Sequence, residues 1–170
     1  NRLKTSLLSK PIFYSGVFTG TRDDKATRFQ SFNDINQPDV TVSVIEGDIT
    51  ETIAMTRFPN AKHLKHAAIS DLSAHTQSVK TGKADIVIQD LGVFLTLAEQ
   101  SDNNLVPLKA LGPVEIFPEM LGLKKGEAEL KSLIDNTIDI ITAEGFVNKA
   151  LQTSPSSSYP NIIPYDLQTE

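Results

Sequence analysis

The segment Val40-Thr41-Val42-Ser43-Val44-Ile45-Glu46-Gly47-Asp48 decides the fold of this chain. Residues 40–45 form a nearly continuous β-branched run, which is typical of a strand buried on both faces of a parallel sheet. Gly47 permits a tight turn, and Asp48 followed by Glu51 three residues later is the signal of a capped helix start. The segment therefore predicts a strand, a turn and a helix in direct succession.

The same alternation continues on both sides of this segment. Alternating strands and helices predict an α/β fold with a mostly parallel sheet. Ligands of such sheets bind beyond the carboxyl ends of the strands, which here are the junctions at Gly47 and Asp90. The predicted strands are 11–19, 63–68, 84–88, 105–108 and an extended stretch at 114–123, the predicted helices are 48–58, 70–81, 90–100, 126–144 and 146–151, and 20–30 is predicted to be a surface loop.

The composition excludes several classes of protein. The chain has 170 residues, with 16 Lys and Arg against 21 Asp and Glu, a net charge of −5 without a basic cluster, and this argues against a nucleic-acid partner. No apolar run approaches the roughly 20 residues that a membrane-spanning helix needs. The sequence has no cysteine, which excludes thiolate metal sites, disulfides and cysteine nucleophiles.

Two strand ends carry residues that could bind a charged ligand. The turn at Gly47 could expose backbone N–H groups that, with the helix dipole, hold an anion such as a carboxylate. The alternative is that Asp48 only caps its own helix. Asp90 ends a buried strand, and its carboxylate could either pair with a ligand ammonium or cap the helix that follows.

The histidines do not predict a metal site. His63 and His66 are three positions apart in a predicted strand, so their side chains point to opposite faces. His75 lies on the apolar side of a predicted helix and is expected to be a hydrogen-bonded core residue. No nucleophile elbow, dinucleotide-binding fingerprint or phosphate loop occurs, so no cofactor is predicted.

Several short motifs follow one another in a characteristic order along the chain. They are Arg2 with Leu8-Ser9-Lys10-Pro11, Phe32-Asn33-Asp34-Ile35, Gly47-Asp48-Ile49-Thr50-Glu51, Phe58-Pro59-Asn60-Ala61, Gly82-Lys83-Ala84-Asp85-Ile86-Val87-Ile88-Gln89-Asp90 and Leu123-Lys124-Lys125-Gly126. Taken in this order, the motifs resemble the extracellular solute-binding proteins of family 3, the amino-acid receptors of ABC importers. Ionotropic glutamate receptor ligand cores share the pattern, and the resemblance covers about residues 1–150.

The resemblance implies a type II periplasmic-binding-protein fold, in which two α/β lobes joined by two crossover strands close on a ligand. The chain would be a C-terminal fragment of a larger receptor, with one complete lobe, its mostly parallel sheet, and the C-terminal part of the other lobe. The expected parts are 1–19 (remnant of the first lobe and first crossover strand), 20–112 (second lobe), 113–152 (second crossover strand and C-terminal helices) and 153–170 (flexible tail).

The resemblance also implies ligand-binding residues. Arg2 matches the arginine that binds the ligand α-carboxylate, and Asp90 matches the acid that binds its α-ammonium. Asp48 and Ile49 stand where the family has hydroxyl side chains that hold the carboxylate, while the backbone site at Gly47 is retained. Two acids, Asp48 and Asp90, would instead favour a more cationic ligand.

The function that the resemblance implies is capture of a small polar or amino-acid-like solute without chemistry, in the periplasm or outside the cell, for delivery to the membrane permease of an ABC transporter. Apolar surface left by the missing lobe part would allow dimers. One alternative is a cyclohexadienyl or arogenate dehydratase, which residues 28–38 resemble. The position of that family's catalytic Glu is Val93 here, so no enzyme activity is expected. The other alternative is the ligand-sensing domain of a receptor.

Overall fold

The computed structural model describes residues 6–68, 73–98 and 104–153 of the chain. By its internal contacts the chain divides into two compact units, one of residues 16–115 and one that combines 1–15 with 116–170. The predicted tail 153–170 lies outside the described residues from position 154 onward. Among the helices of the described ranges, none is both long and apolar enough to cross a lipid bilayer.

The unit of residues 16–115 is built on a mixed sheet. Its strands are β2 (Phe13–Arg22), β3 (Thr41–Ile45), β4 (Lys62–His66), β5 (Ile86–Asp90) and β6 (Leu105–Pro107), in the spatial order β4-β3-β5-β2-β6. β3 is parallel to both β4 and β5, whereas β2 runs antiparallel to β5 and β6. Strand β2 also pairs with β7 (Glu115–Glu119). The predicted α/β fold with a mostly parallel sheet is confirmed.

The central strands have the burial that their sequences predict. From Val42 onward every residue of β3 is buried, as are the first three residues of β5. β-branched side chains pack well on both faces of a pleated strand, which explains this pair at the centre of the sheet. The edge strand β4 has exposed Lys62 and Lys65, charges that oppose pairing with another chain.

Strand β2 is longer than predicted. It continues through Gly20 to Arg22, a stretch predicted to be loop because it is polar and contains Gly. Thr19 and Thr21 are fully buried here, and the Thr21 hydroxyl donates to the carbonyl of Asp85, so pairing on both sides outweighs the weak strand propensity of the stretch. A 3₁₀ helix at 23–28 follows.

The described residues of this unit include four α-helices, and the three longer ones pack against strands of the sheet. The three longer helices lie where the sequence predicts helices, at 48–58, 70–81 and 90–100. The four helices are α1 (Phe32–Ile35), α2 (Ile49–Arg57), α3 (Ser73–Lys80) and α4 (Leu91–Ala98).

Within the described residues, the other unit contains a two-stranded sheet and two helices. Strand β1 (Ser6–Leu8) pairs antiparallel with β8 (Gly122–Lys124), and α5 (Ala128–Ala143) is followed by α6 (Phe146–Thr153). Gly145 has φ +69° between the two helices, which confirms the predicted stop. The stretch predicted to be extended, 114–123, is divided between β7 and β8.

Candidate functional site

A cavity of about 400 Å³ opens at the carboxyl ends of β3 and β5, within the unit of residues 16–115. This is the edge of the sheet at which the sequence predicts ligand binding. The chain brings together here the N-termini of α2 and α4 and the side of α3. Among the residues that line the cavity are Asp48, Ile49, His75, Gln89, Asp90 and Val93.

Asp48 begins α2. Its carboxylate accepts a hydrogen bond of 2.9 Å from the backbone N–H of Thr50, so it caps its own helix, the alternative that the sequence left open. The side chain is nevertheless exposed and lines the cavity. Its second carboxylate oxygen does not take part in the cap bond, so it can face a ligand. Ile49 beside it is 45% exposed and presents an apolar surface to the same cavity.

The turn at Gly47 differs from its prediction. Gly47 has φ +74°, as its place in the turn requires, but its N–H is not free: it donates to Oε2 of Glu51 at 2.8 Å. Glu51 therefore does not complete the predicted capping box with the N–H of Asp48, which instead donates to the carbonyl of Ile45. The N–H of Gly47 is therefore not exposed as predicted, because a carboxylate of the chain itself accepts from it, and the place of Gly47 in a ligand site stays a prediction.

Electrostatics keep this internal carboxylate charged. Lys65 Nζ lies 2.7 Å from Glu51, whose side chain is only 16% exposed. The hydrogen bond from Lys65, together with the one from the N–H of Gly47, holds the pKa of Glu51 below its usual value. A ligand carboxylate at this turn would thus meet two anionic side chains, Glu51 and Asp48, where the family resemblance implies hydroxyl groups.

Asp90 stands at the end of β5 and at the start of α4. Its carboxylate accepts a hydrogen bond of 2.7 Å from the N–H of Gly92, and Asp90 also lines the cavity. The residue before it, Gln89, uses both ends of its amide: Oε1 accepts from the N–H of Asp90 at 3.1 Å, and Nε2 lies 2.9 Å from Nε2 of His75. Asp90 is therefore both a helix cap and an acid at the cavity.

The three histidines lie in different surroundings. His75 is 1% exposed, which confirms it as a hydrogen-bonded core residue, but it also lines the cavity. His66 Nε2 lies 3.0 Å from the hydroxyl of Ser43, and His63 Nε2 lies 3.0 Å from the carbonyl of Phe58. Within the described residues, no group of His, Asp and Glu side chains has the arrangement of a metal site.

Sequence reasoning missed several residues of the cavity wall. Gln89, Thr50, Thr76 and Ser73 were not predicted to take part, although the polar Gln89 at the end of an apolar strand is a visible signal. Arg2, the predicted carboxylate-binding residue, lies outside the described residues. Its relation to Asp90 stays a prediction.

Solved structures share this architecture. An ancestral amino-acid-binding protein described as a precursor of cyclohexadienyl dehydratase is 26% identical to the chain, with a TM-score of 0.68, and the match covers 89% of this chain and 61% of that one. An amino acid ABC transporter substrate-binding protein from Streptococcus pneumoniae, bound to L-arginine, is 23% identical over 87% and 60% of the two chains, with a TM-score of 0.68.

A binding component of an ABC transporter from Wolinella succinogenes, complexed with lysine, is 23% identical over 86% of this chain and 61% of that one, with a TM-score of 0.70. No protein-family model and no curated protein sequence matches the chain. The chain spans about three fifths of the length of these structures.

The matched structures, the mixed sheet and the cavity at its carboxyl edge agree with the family resemblance seen in the sequence. The chain has the type II periplasmic-binding-protein fold of the extracellular solute-binding proteins of family 3, and it matches about three fifths of the length of such proteins.

Proposed function

We propose that the chain is part of the substrate-binding component of an ABC importer, and that its cavity receives the cationic part of a small amino-acid-like solute. The observation that carries the proposal is the charge of the cavity wall: Asp48 and Asp90 line it, while Glu51 and Asp48 occupy backbone donors of the turn at Gly47. An ammonium or guanidinium group would pair with these carboxylates through charge-assisted hydrogen bonds.

The ligand would be captured by closure of two lobes, with Arg2 proposed for its carboxylate and Asp90 for its ammonium group. Ile49 would form the wall beside the ligand, and the N–H of Gly47, which already donates to Glu51, would not donate to the ligand. The whole receptor would act in the periplasm or outside the cell and pass its ligand to a membrane permease. The three structurally similar proteins described above include two bound to arginine or lysine, which supports a cationic ligand here.

NMR titration of the ¹⁵N-labelled chain tests this proposal, because it detects the weak binding expected from part of a receptor. L-Arginine should perturb the backbone signals of Asp48 and Asp90 with a millimolar Kd, about −4 kcal/mol, whereas L-glutamate should bind more weakly. Asp48→Asn and Asp90→Asn should each weaken L-arginine binding, and Asp39→Asn, an exposed acid away from the cavity, is the control. Tighter binding of L-glutamate, or no response to either, contradicts the proposal.

Binding without chemistry is proposed over the dehydratase alternative. Val93, which the resemblance places at the position of the dehydratase catalytic Glu, lines the cavity and has no proton to transfer. Prephenate turnover by the chain would contradict this choice. A ligand-sensing domain of a receptor would use the same binding chemistry, so the ligand titration applies to it equally.

We also propose that the chain forms dimers through α5. Leu133 on this helix is 64% exposed and Ile140 is 56% exposed, two turns apart on one side. Exposed apolar stripes of this kind mark association surfaces. Sedimentation velocity should show a concentration-dependent dimer that Leu133→Glu abolishes, while a sharp monomer at all concentrations would contradict the proposal.

A further inference from the structure

Hydrogen bonds join the His75 side chain to the Gln89 side chain, and the Gln89 side chain to the backbone of Asp90, at the wall of the cavity. His75 is 1% exposed, and its Nε2 lies 2.9 Å from Nε2 of Gln89. Oε1 of Gln89 accepts the backbone N–H of Asp90 at 3.1 Å. The carboxylate of Asp90 in turn accepts the N–H of Gly92 at 2.7 Å. These bonds therefore join α3, β5 and the start of α4.

The chemistry of these groups determines the direction of each bond. A backbone N–H can only donate, so the Gln89 atom beside the nitrogen of Asp90 must be the amide oxygen. The other end of the amide is then the NH₂ group, and it must donate to His75. Nε2 of His75 is thus an unprotonated acceptor, and a neutral imidazole with this acceptor carries its proton on Nδ1.

We infer that His75 is a positioning residue of the proposed solute site, which acts on the Asp90 carboxylate through Gln89. The inference rests on the proposed function and extends it to a residue that does not itself need to touch the ligand. An acceptor at position 75 keeps the Gln89 amide in one orientation, and the amide oxygen then holds the backbone of Asp90. Without that acceptor, a partly buried NH₂ group loses its partner and the amide is released to rotate.

Two substitutions separate this role from simple packing. His75→Gln places an uncharged oxygen acceptor where Nε2 was, whereas His75→Leu fills the space without an acceptor. In L-arginine titrations of the 170-residue chain, His75→Leu should weaken binding about fivefold, the worth of one hydrogen bond of about 1 kcal/mol. His75→Gln should stay within about twofold of the unchanged chain, because the acceptor is retained.

A double-mutant cycle tests whether His75 acts on L-arginine binding through Gln89. Gln89→Leu should weaken L-arginine binding by a similar factor, and His75→Leu combined with Gln89→Leu should be no weaker than either alone. Independent, additive losses would overturn the inference. So would a His75→Leu chain that melts earlier yet binds L-arginine as before, or a His75→Gln chain that binds as weakly as His75→Leu.

The tautomer gives a measurement that needs no ligand. In ¹⁵N–¹H spectra of the imidazole at neutral pH, Nε2 of His75 should have the chemical shift of an unprotonated nitrogen, and this signal should move in Gln89→Leu. A protonated Nε2 would overturn the inference even if L-arginine binds. If the unchanged chain does not bind L-arginine, the proposed function fails and the positioning role with it, whereas the tautomer result still reports on the hydrogen bonds themselves.

Discussion

Replacing Asp85 by Asn should destabilise the unit of residues 16–115, because this carboxylate joins three elements. Its side chain is only 14% exposed, and one oxygen lies 2.7 Å from Nζ of Lys25 and 3.9 Å from Nη1 of Arg28. The other oxygen accepts the N–H of Thr41 at 3.0 Å. Asp85 thus connects the 3₁₀ helix, the start of β3 and the approach to β5.

The size of the change in unfolding free energy follows from which hydrogen bonds of Asp85 the substitution weakens. Asparagine keeps an oxygen acceptor for Thr41 but removes the charge that faces Lys25. A hydrogen bond to a charged group contributes roughly 1.5–3 kcal/mol, and Lys25, 32% exposed, recovers part of this from water, so we expect a loss of about 2 kcal/mol. The matched control is Asp39→Asn, because Asp39 pairs with Arg28 at 2.8 Å but is 74% exposed, and a surface pair is worth about 0–1 kcal/mol.

The loss should also depend on pH. Burial by itself raises the pKa of Asp85, but the hydrogen bonds from Lys25 and Thr41 and the nearby cationic charges outweigh it, so the pKa lies below the usual value. A carboxyl with a depressed pKa in the folded state stabilises fully above its unfolded pKa, about 3.9, and the contribution is lost as the pH falls through the folded pKa.

Urea unfolding followed by circular dichroism measures both effects. The difference in free energy of unfolding between the unchanged chain and Asp85→Asn should be about 2 kcal/mol near about pH 7 and should shrink toward about pH 3. Asp39→Asn should change the free energy of unfolding by less than about 1 kcal/mol. Equal losses for the two variants, or a loss for Asp85→Asn that does not change with pH, would refute the reasoning.

Two further predictions concern the strands and the turn. Gly20→Ala should cost about 1–3 kcal/mol in urea unfolding, because a Cβ there would lie 2.3 Å from the ring of Phe94, whereas Gly122→Ala, with no atom within 4 Å, should cost far less. Asp48→Ser combined with Glu51→Ala should raise the affinity for L-glutamate relative to L-arginine in NMR titrations. The double variant removes two negative charges and frees the N–H of Gly47, while Ser still caps the helix; an unchanged preference would contradict our account of the turn.

The sequence was most informative where a local residue pattern directly reflects the burial of the element that it forms. The β-branched run of 40–45 and the apolar run ending at Ile88 predicted the two central strands, because only positions buried on both faces accept such continuous apolar runs. Gly145 predicted the end of α5 for a similarly local reason, the left-handed backbone that a helix stop favours. The predicted end of strand β2 fell three residues short of the observed end at Arg22, because Thr19 and Thr21 are buried through pairing with strands distant in sequence.

The composition, the strand–helix alternation and the two acidic strand ends were determined by the sequence alone, since they depend on residue type and on neighbours along the chain. Only the tertiary structure decided which donors of the turn at Gly47 are occupied and that Gln89 connects His75 to Asp90. The Glu51 carboxylate could have accepted the N–H of Asp48 instead of that of Gly47. His75 could have packed in the core without lining the cavity. Hydrogen bonds between side chains depend on directions and distances in space, and no spacing along the chain specifies those.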